Sequence, residues 1–355
     1  SHQRKQQKEK TTHEGFQKKH QKVKGPPMKK ELKPLEIIVD SQKAKLTHIL
    51  KLKQLFRENS GEQALNLNFV LQGKTVANIE IPSHCKIIAE IGNTHEGSLG
   101  LAKQFIRAAR ECGVDAVKFQ VHLFDAESLD SAPNPPYFKD ETRKEYFDRT
   151  SFSLKDWQTL KTFTEKECGL EFLASPFSNE AVDLLEAINV RTYKIASGEV
   201  TNLPMLIKIA QTNKPVLLSS GMSSWAEIDQ AVTCLIQNGC PDLTILQCTS
   251  DYPCLPEHSG LNVLDQLKER YPNHSIGYSD HTMGLAIPIA AVCRGARVIE
   301  KHFTLSKKMY GSDAQFSSEP AEFKQLVVAI RDVEKAMVNR VDKDEKVKSL
   351  GTMKK

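Results

Sequence analysis

From Cys85 onward the sequence repeats one pattern eight times, a short apolar run of strand type followed by an amphipathic helical run. No other feature constrains the fold as strongly. The strand runs are CKIIAE (85–90), DAVKFQ (115–120), LEFLAS (170–175), RTYKIA (191–196), PVLLSS (215–220), LTILQC (243–248), SIGYS (275–279) and RVIEKH (297–302). Helical runs follow at 99–112, 153–167, 178–187, 202–212, 225–238, 260–270, 284–294 and 320–338. Strands nearly continuous in Val, Ile and Leu are buried on both faces, as in a parallel sheet covered by helices. Eight such units in succession predict an α/β chain closed into a (β/α)8 TIM barrel. A doubly wound open sheet is the alternative, and it seldom needs eight equal units. Gly113 and Gly295, just before the second and eighth strands, read as helix C-terminal caps.

The rest of the chain divides by composition. Residues 1–34 carry 11 Lys/Arg against 3 Glu in a segment poor in apolar residues, so a disordered basic head is expected. It lies outside the barrel pattern and is expected to be dispensable for chemistry. Residues 35–84 form an N-terminal extension, partly helical over 35–58, with a β-hairpin turning at Gln72-Gly73. The catalytic barrel spans 85–340, and 341–355 is a tail. The whole chain is at +5, so without its head it is slightly acidic, which argues against a nucleic-acid-binding barrel. No apolar run reaches the ~18 residues of a membrane span, and the first residues do not resemble a signal peptide. The eight cysteines form no CxxC pair and read as reduced thiols, which places the protein in the cytoplasm.

A barrel builds its active site at the C-terminal ends of its strands. Each strand here ends in polar residues: Glu90; Lys118 and Gln120; Ser175; Lys194, Ser197 and Glu199; Ser219 and Ser220; Gln247, Thr249 and Ser250; Ser279, Asp280 and His281; Glu300 and His302. Lys118 and Lys194 interrupt apolar strands, and a buried Lys needs a partner. The structural explanation is an ion pair with Glu90 or Glu199. The functional one is a pair of cations for a phosphorylated or carboxylated substrate. The hydroxyls of Ser175, Ser197, Ser219 and Ser279 favour the second, because hydroxyl and ammonium donors together satisfy the oxygens of a phosphate. His281 and His302 end adjacent strands, with Glu90 beside them once the barrel closes. Two imidazoles and a carboxylate suit Mn²⁺, Fe²⁺ or Zn²⁺, although a lone His is more often a satisfied core residue. His95, His122 and His274 lack such placement and read as structural or surface residues.

The motifs EIGNTHEG (90–97), VKFQVH (117–122), SPFS (175–178), YKIASGE (193–199), LSSGM (218–222), QCTSDYP (247–253), GYSDHT (277–282), EKHFT (300–304) and GSD with SSEP (311–320) together resemble the sialic acid (N-acetylneuraminate) synthases. The likeness covers about residues 67–340, with the motifs in family order. It implies a TIM barrel that condenses phosphoenolpyruvate with an N-acylated amino sugar, N-acetylmannosamine or a related diacetamido sugar, to give a nonulosonic acid and phosphate. It implies a divalent metal on His281 and His302, Mn²⁺ first, with Mg²⁺ or Co²⁺ as alternatives. Phosphoenolpyruvate would lie on Lys118, Ser175, Lys194, Ser197, Ser219 and Ser279, with Ser250 beside it. Glu90, Tyr252 and Asp313 would hold the sugar. Glu90, Asp313 and Lys118 are the candidate catalytic groups, the two carboxylates handling protons as bases before acids.

The sequence also departs from the family pattern. Thr94 stands where Asn is usual, and Ala314 where many members have His. The form of residues 313–317 leans toward the pseudaminic and legionaminic acid synthases. A C-terminal antifreeze-like domain, common in bacterial members, is not expected within 341–355. The long 122–152 segment, with Phe124, Pro135, Pro136, Tyr137 and Phe138, is then the expected lid, packed beside a homodimer partner; a floppy insertion is the alternative. Two other functions compete with the synthase reading. One is a phosphoenolpyruvate-dependent enzyme of the deoxy-octulosonate or deoxy-heptulosonate phosphate type; the other is a barrel serving as a non-catalytic scaffold.

Overall fold

A computed structural model describes residues 35–40, 65–71, 74–81, 84–134, 140–339 and 341–353. The expected head, residues 1–34, lies outside them, as do Pro135, Pro136, Tyr137 and Phe138. Strands β1 (Leu35–Asp40), β2 (Leu65–Leu71) and β3 (Lys74–Ile81) form a three-stranded sheet. The hairpin at Gln72-Gly73 is present as the antiparallel β2–β3 pair. The helical reading of 35–58 is corrected over its first residues: Leu35–Asp40 is a strand, paired in parallel with β2. LEIIVD is rich in β-branched residues, and that preference outweighs the helical spacing seen further along; residues 41–58 lie outside the described ones.

The eight repeats form eight parallel strands, β4 (Lys86–Gly92), β5 (Ala116–Val121), β6 (Glu171–Pro176), β7 (Tyr193–Ile195), β8 (Val216–Ser219), β9 (Leu243–Cys248), β10 (Ser275–Asp280) and β11 (Val298–His302). They pair in sequence order, and β11 closes the barrel onto β4. Helices cover the outside. In α1 (Leu99–Cys112), Ala102, Phe105, Ile106, Ala109 and Cys112 make the buried stripe. Ser98 caps its start by accepting from Leu101 N–H, and Gly113 ends it in the left-handed conformation (φ 84°). The expected helix 153–167 is Leu154–Thr162 followed by a π turn, Phe163–Glu167. The tail also contains a short helix, Lys343–Leu350.

Alternation along the strands divides the apolar residues into two cores. One fills the space between sheet and helices, with Phe105, Phe119, Phe172 and Phe323 at its centre. The other fills the barrel interior with Ile88, Ala116, Leu173, Leu217, Leu246 and Val298. Gly277 belongs to this inner layer: a Cβ there would sit 2.4 Å from Leu246 and 2.7 Å from the Val298 carbonyl, so only glycine fits. This layer is the floor on which the site stands.

Candidate active site

Two residues beyond each floor residue, the same inward face turns polar. Ile88 is followed by Glu90, Ala116 by Lys118, Leu173 by Ser175, Leu217 by Ser219, Leu246 by Cys248 and Val298 by Glu300. A strand repeats its face every second residue, so these side chains form one polar rung above the floor. Glu90, Lys118, Ser175, Lys194, Ser219, Ser279 and Glu300 are all buried.

The rung is knit by short contacts. Lys118 Nζ lies 2.9 Å from Glu90 Oε2, donates to Ser175 Oγ at 3.1 Å and lies 3.9 Å from Glu300 Oε1. Lys194 Nζ lies 3.3 Å from the same Glu300 oxygen, and Ser279 Oγ donates to it at 3.1 Å. Both lysines therefore have carboxylate partners. Glu90 is one of them; Glu199 is not, since its carboxylate accepts from Asn202 at 2.9 Å. Burial alone would raise the Glu300 carboxyl, but the two ammonium groups outweigh it and hold the pKa at about 2. Burial depresses Lys194, whereas for Lys118 the same penalty is exceeded by Glu300 and Glu90, which push it up.

Two cations facing two anions leave the rung formally neutral, while Ser219 Oγ and Glu300 Oε2 are buried with no hydrogen-bond partner. Native interiors seldom leave such groups unsatisfied, so these atoms mark where a polar ligand belongs. Beside them Gly221 opens a cradle. A Cβ there would lie 2.6 Å from Ser250 Oγ, 2.9 Å from Cys248 Sγ and 2.9 Å from Ser197 Oγ. Ser197 Oγ already accepts from Gly221 N–H at 3.0 Å.

His281 and His302 face one another at the mouth, ring centroids 5.5 Å apart, with Tyr252 against both at 4.1 and 5.8 Å. His281 Nδ1 lies 2.8 Å from the Thr249 carbonyl, an arrangement that places a proton on Nδ1, so that Nε2 is the nitrogen that could hold a metal. His302 Nδ1 is buried without a hydrogen-bond partner, and Asp313 Oδ2 is 3.9 Å away. Burial lowers the His302 pKa and so favours the neutral imidazole that binds metals. Among the described residues no three His, Cys, Asp or Glu side chains form a metal-binding group. The donors that a cation could use here are the two imidazoles of His281 and His302, with its other positions left to water and substrate oxygens. Such a cation would also supply the positive charge that a phosphate ester requires of a neutral rung.

Glu300 is the central residue that the sequence reading left outside its site. The signal was the same alternation that selects His302, two positions on. Gln120 and His122 follow Lys118 by that alternation too: Gln120 Nε2 donates to Glu90 Oε1 at 2.8 Å, and His122 Nε2 lies 3.1 Å from Gln120 Oε1. The described part of 122–152 follows β5 in the chain. It carries two helices, Phe124–Glu127 and Arg143–Thr150, joined through a buried Phe124, Tyr146 and Phe147 cluster. Arg149 ties it to Glu96 after β4 at 2.7 Å, and Tyr310 after β11 donates to Glu141 at 2.9 Å.

Comparison with known proteins places the barrel among relatives of known name. The chain is 42% identical over 269 residues to the N,N'-diacetyllegionaminic acid synthase of Campylobacter jejuni, covering 73% of this chain and 79% of that protein. It is 40% identical over 257 residues to the human N-acetylneuraminate-9-phosphate synthase, covering 71% of each. The crystal structure of the N-acetylneuraminic acid synthetase of Leptospira borgpetersenii with citrate superposes with a TM-score of 0.66 at 29% identity, over 79% of this chain and 96% of that one. Residues 105–342, most of the barrel and the greater part of its polar rung, match the NeuB family, and to that family this chain belongs.

Proposed function

We propose that this protein condenses phosphoenolpyruvate with an open-chain N-acylated amino sugar, releasing phosphate and forming a nonulosonic acid. The observation that carries the reading is the buried rung of Glu90, Lys118, Lys194 and Glu300, with unpartnered oxygens and a glycine cradle beside it. Its relatives are synthases of legionaminic, pseudaminic and N-acetylneuraminic acid derivatives.

In this reading Lys118 and Lys194 bind phosphoenolpyruvate with the hydroxyls of Ser175, Ser197, Ser219, Ser250 and Ser279. Glu90, Tyr252 and Asp313 hold the sugar with its aldehyde carbon toward the enol. His281 and His302 would hold a divalent cation, Mn²⁺ before Mg²⁺ or Co²⁺, and such a cation would supply Lewis acidity for the aldehyde oxygen. The enol carbon forms the new C–C bond, water adds to the cationic carbon bearing the phosphate, and phosphate leaves by C–O cleavage. Glu90 or Asp313 passes the proton that the water loses to the alkoxide formed from the aldehyde oxygen, and the second water proton leaves with the phosphate as the ketone forms. The floor beneath the rung and the described part of the 122–152 segment above it limit bulk water, which strengthens each charged contact. The rigid strands keep both substrates aligned.

We further infer a cytoplasmic enzyme, supported by eight free cysteines. No helix among the described residues is long and apolar enough to cross a membrane. A homodimer packed beside the 122–152 lid completes the reading. Light scattering tests the dimer. Protease cutting of 122–152 that slows with phosphoenolpyruvate and metal supports the lid, and equal cutting refutes it. The function is tested by phosphate release from phosphoenolpyruvate with N-acetylmannosamine and, separately, a diacetamido sugar. Release with one sugar is expected and names the substrate; release with neither overturns the proposal.

A further inference from the structure

Lys118, Gln120 and His122 are successive inward residues of β5 and the turn that follows it, and they form a chain leading outward from the floor. Glu90 is held from both sides by this one strand: Lys118 Nζ lies 2.9 Å from Oε2, and Gln120 Nε2 donates to Oε1 at 2.8 Å. An ionised carboxylate only accepts, so Glu90 takes the donor end of the amide, and the acceptor end needs a partner of its own to hold that orientation. At that other end of Gln120, Oε1 lies 3.1 Å from His122 Nε2.

The imidazole cannot turn away. It lies between Phe147 and Phe177, ring centroids 4.0 and 3.9 Å away and planes inclined by 4° and 23°. Its Nδ1 is 2.7 Å from Glu127 Oε1, and the other Glu127 oxygen accepts from Leu123 N–H at 3.2 Å. One ring nitrogen thus faces a carboxylate and the other the Gln120 amide oxygen. Phe147 and Glu127 belong to the 122–152 segment and Phe177 to the loop after β6, so two elements outside the rung set the orientation of a group inside it.

We propose that His122 is a positioning residue: by donating to Gln120 Oε1 it turns the amide nitrogen toward Glu90, and so fixes the carboxylate that receives the sugar. The inference rests on the reading of Glu90 as a sugar contact. It assigns the 122–152 segment a role beyond covering the site, since its docking places Glu127 and Phe147 against His122.

The test compares His122→Phe, which keeps the stacked ring and loses both donors, with His122→Gln, which keeps an N–H near the position of Nε2. Steady-state kinetics are measured for each substrate, beside thermal unfolding. His122→Phe is expected to lower kcat/KM for the sugar about tenfold to a hundredfold, with the KM for phosphoenolpyruvate within about twofold of wild type. His122→Gln is expected to recover most of that loss. Equal impairment of both variants overturns the inference, because packing alone then accounts for the ring; wild-type kinetics in His122→Phe also overturn it. If His122→Phe does not fold, Glu127→Gln serves instead: a smaller loss confined to the sugar supports the role, and unchanged kinetics overturn it. A wild-type protein that releases no phosphate overturns the functional reading itself, which keeps the two failures apart.

Discussion

Glu90 and Lys118 are partners in the β4–β5 register and also an ion pair, Oε2 to Nζ 2.9 Å, enclosed by the barrel wall. Lys194 reaches Glu300 instead, at 3.3 Å. The two lysines are therefore not equivalent, although each interrupts an apolar strand in the same way.

Replacing either lysine by alanine removes a charge-assisted contact worth about 1.5–3 kcal/mol, or roughly tenfold to a hundredfold in affinity for phosphoenolpyruvate. Lys118→Ala is expected also to lower thermal stability, since it strips Glu90 of its cation, and breaking a buried pair costs about 3–5 kcal/mol. Lys194→Ala leaves Glu300 with Lys118 and is expected to unfold closer to wild type. Titration of phosphoenolpyruvate and thermal melts separate the two effects. Affinity within twofold of wild type in both variants would show the anion pocket to be elsewhere.

Gly221→Ala places a methyl group within 2.6–2.9 Å of Ser250, Cys248 and Ser197. Overfilling of this kind costs about 1–3 kcal/mol. The KM for phosphoenolpyruvate is expected to rise about tenfold, while far-ultraviolet dichroism stays unchanged. An unaltered KM would mean that the cradle does not hold the substrate.

Chelation is expected to abolish turnover and Mn²⁺ to restore it. His281→Ala removes one of the two proposed protein ligands, so calorimetric titration with Mn²⁺ is expected to show most of the affinity gone. Full activity of that variant in metal-free buffer would refute the site.

His95 supplies a pH test independent of chemistry. It is buried, stacks on Phe152 at 4.5 Å, accepts from Gly97 N–H through Nδ1, and has no partner for Nε2. Burial pushes its pKa down from 6.5 to about 3. Because the folded-state value is the lower one, the unfolded chain binds the proton first. The neutral ring's contribution is complete above pH ~6.5 and is lost as pH falls toward about 3, by up to about 1.4 kcal/mol per unit. Denaturant melts from pH 7 to 4 are expected to show a shallower decline in His95→Gln than in wild type. Parallel declines would show that His95 is protonated in the fold.

The strands and helices were legible because eight amphipathic repeats carry redundant signals. Leu99–Cys112 and Pro320–Val338 match the sequence reading at both ends, each bounded by a capping residue. Lys118 and Lys194 stood out as charges in apolar runs. Glu300 did not, because a carboxylate near a strand end looks like an ordinary surface group until Lys118 and Lys194 are seen on either side. His122 was passed over for a similar reason: its partners Phe147 and Phe177 come from distant segments that only the closed barrel brings together. The strand at Leu35–Asp40 was missed because its partner β2 lies far along the chain.

The seam between β11 and β4 has a consequence for biosynthesis. His302 shares a register position with Glu90, so the last barrel strand completes a centre that the first one began. A nascent chain carrying seven strands already holds Glu90, both lysines and His281, yet it has neither Glu300 nor His302. Contacts between such distant segments form late and slowly. During refolding, helical dichroism is expected to return before phosphate release does, and the interval between the two measures the time the ring takes to shut.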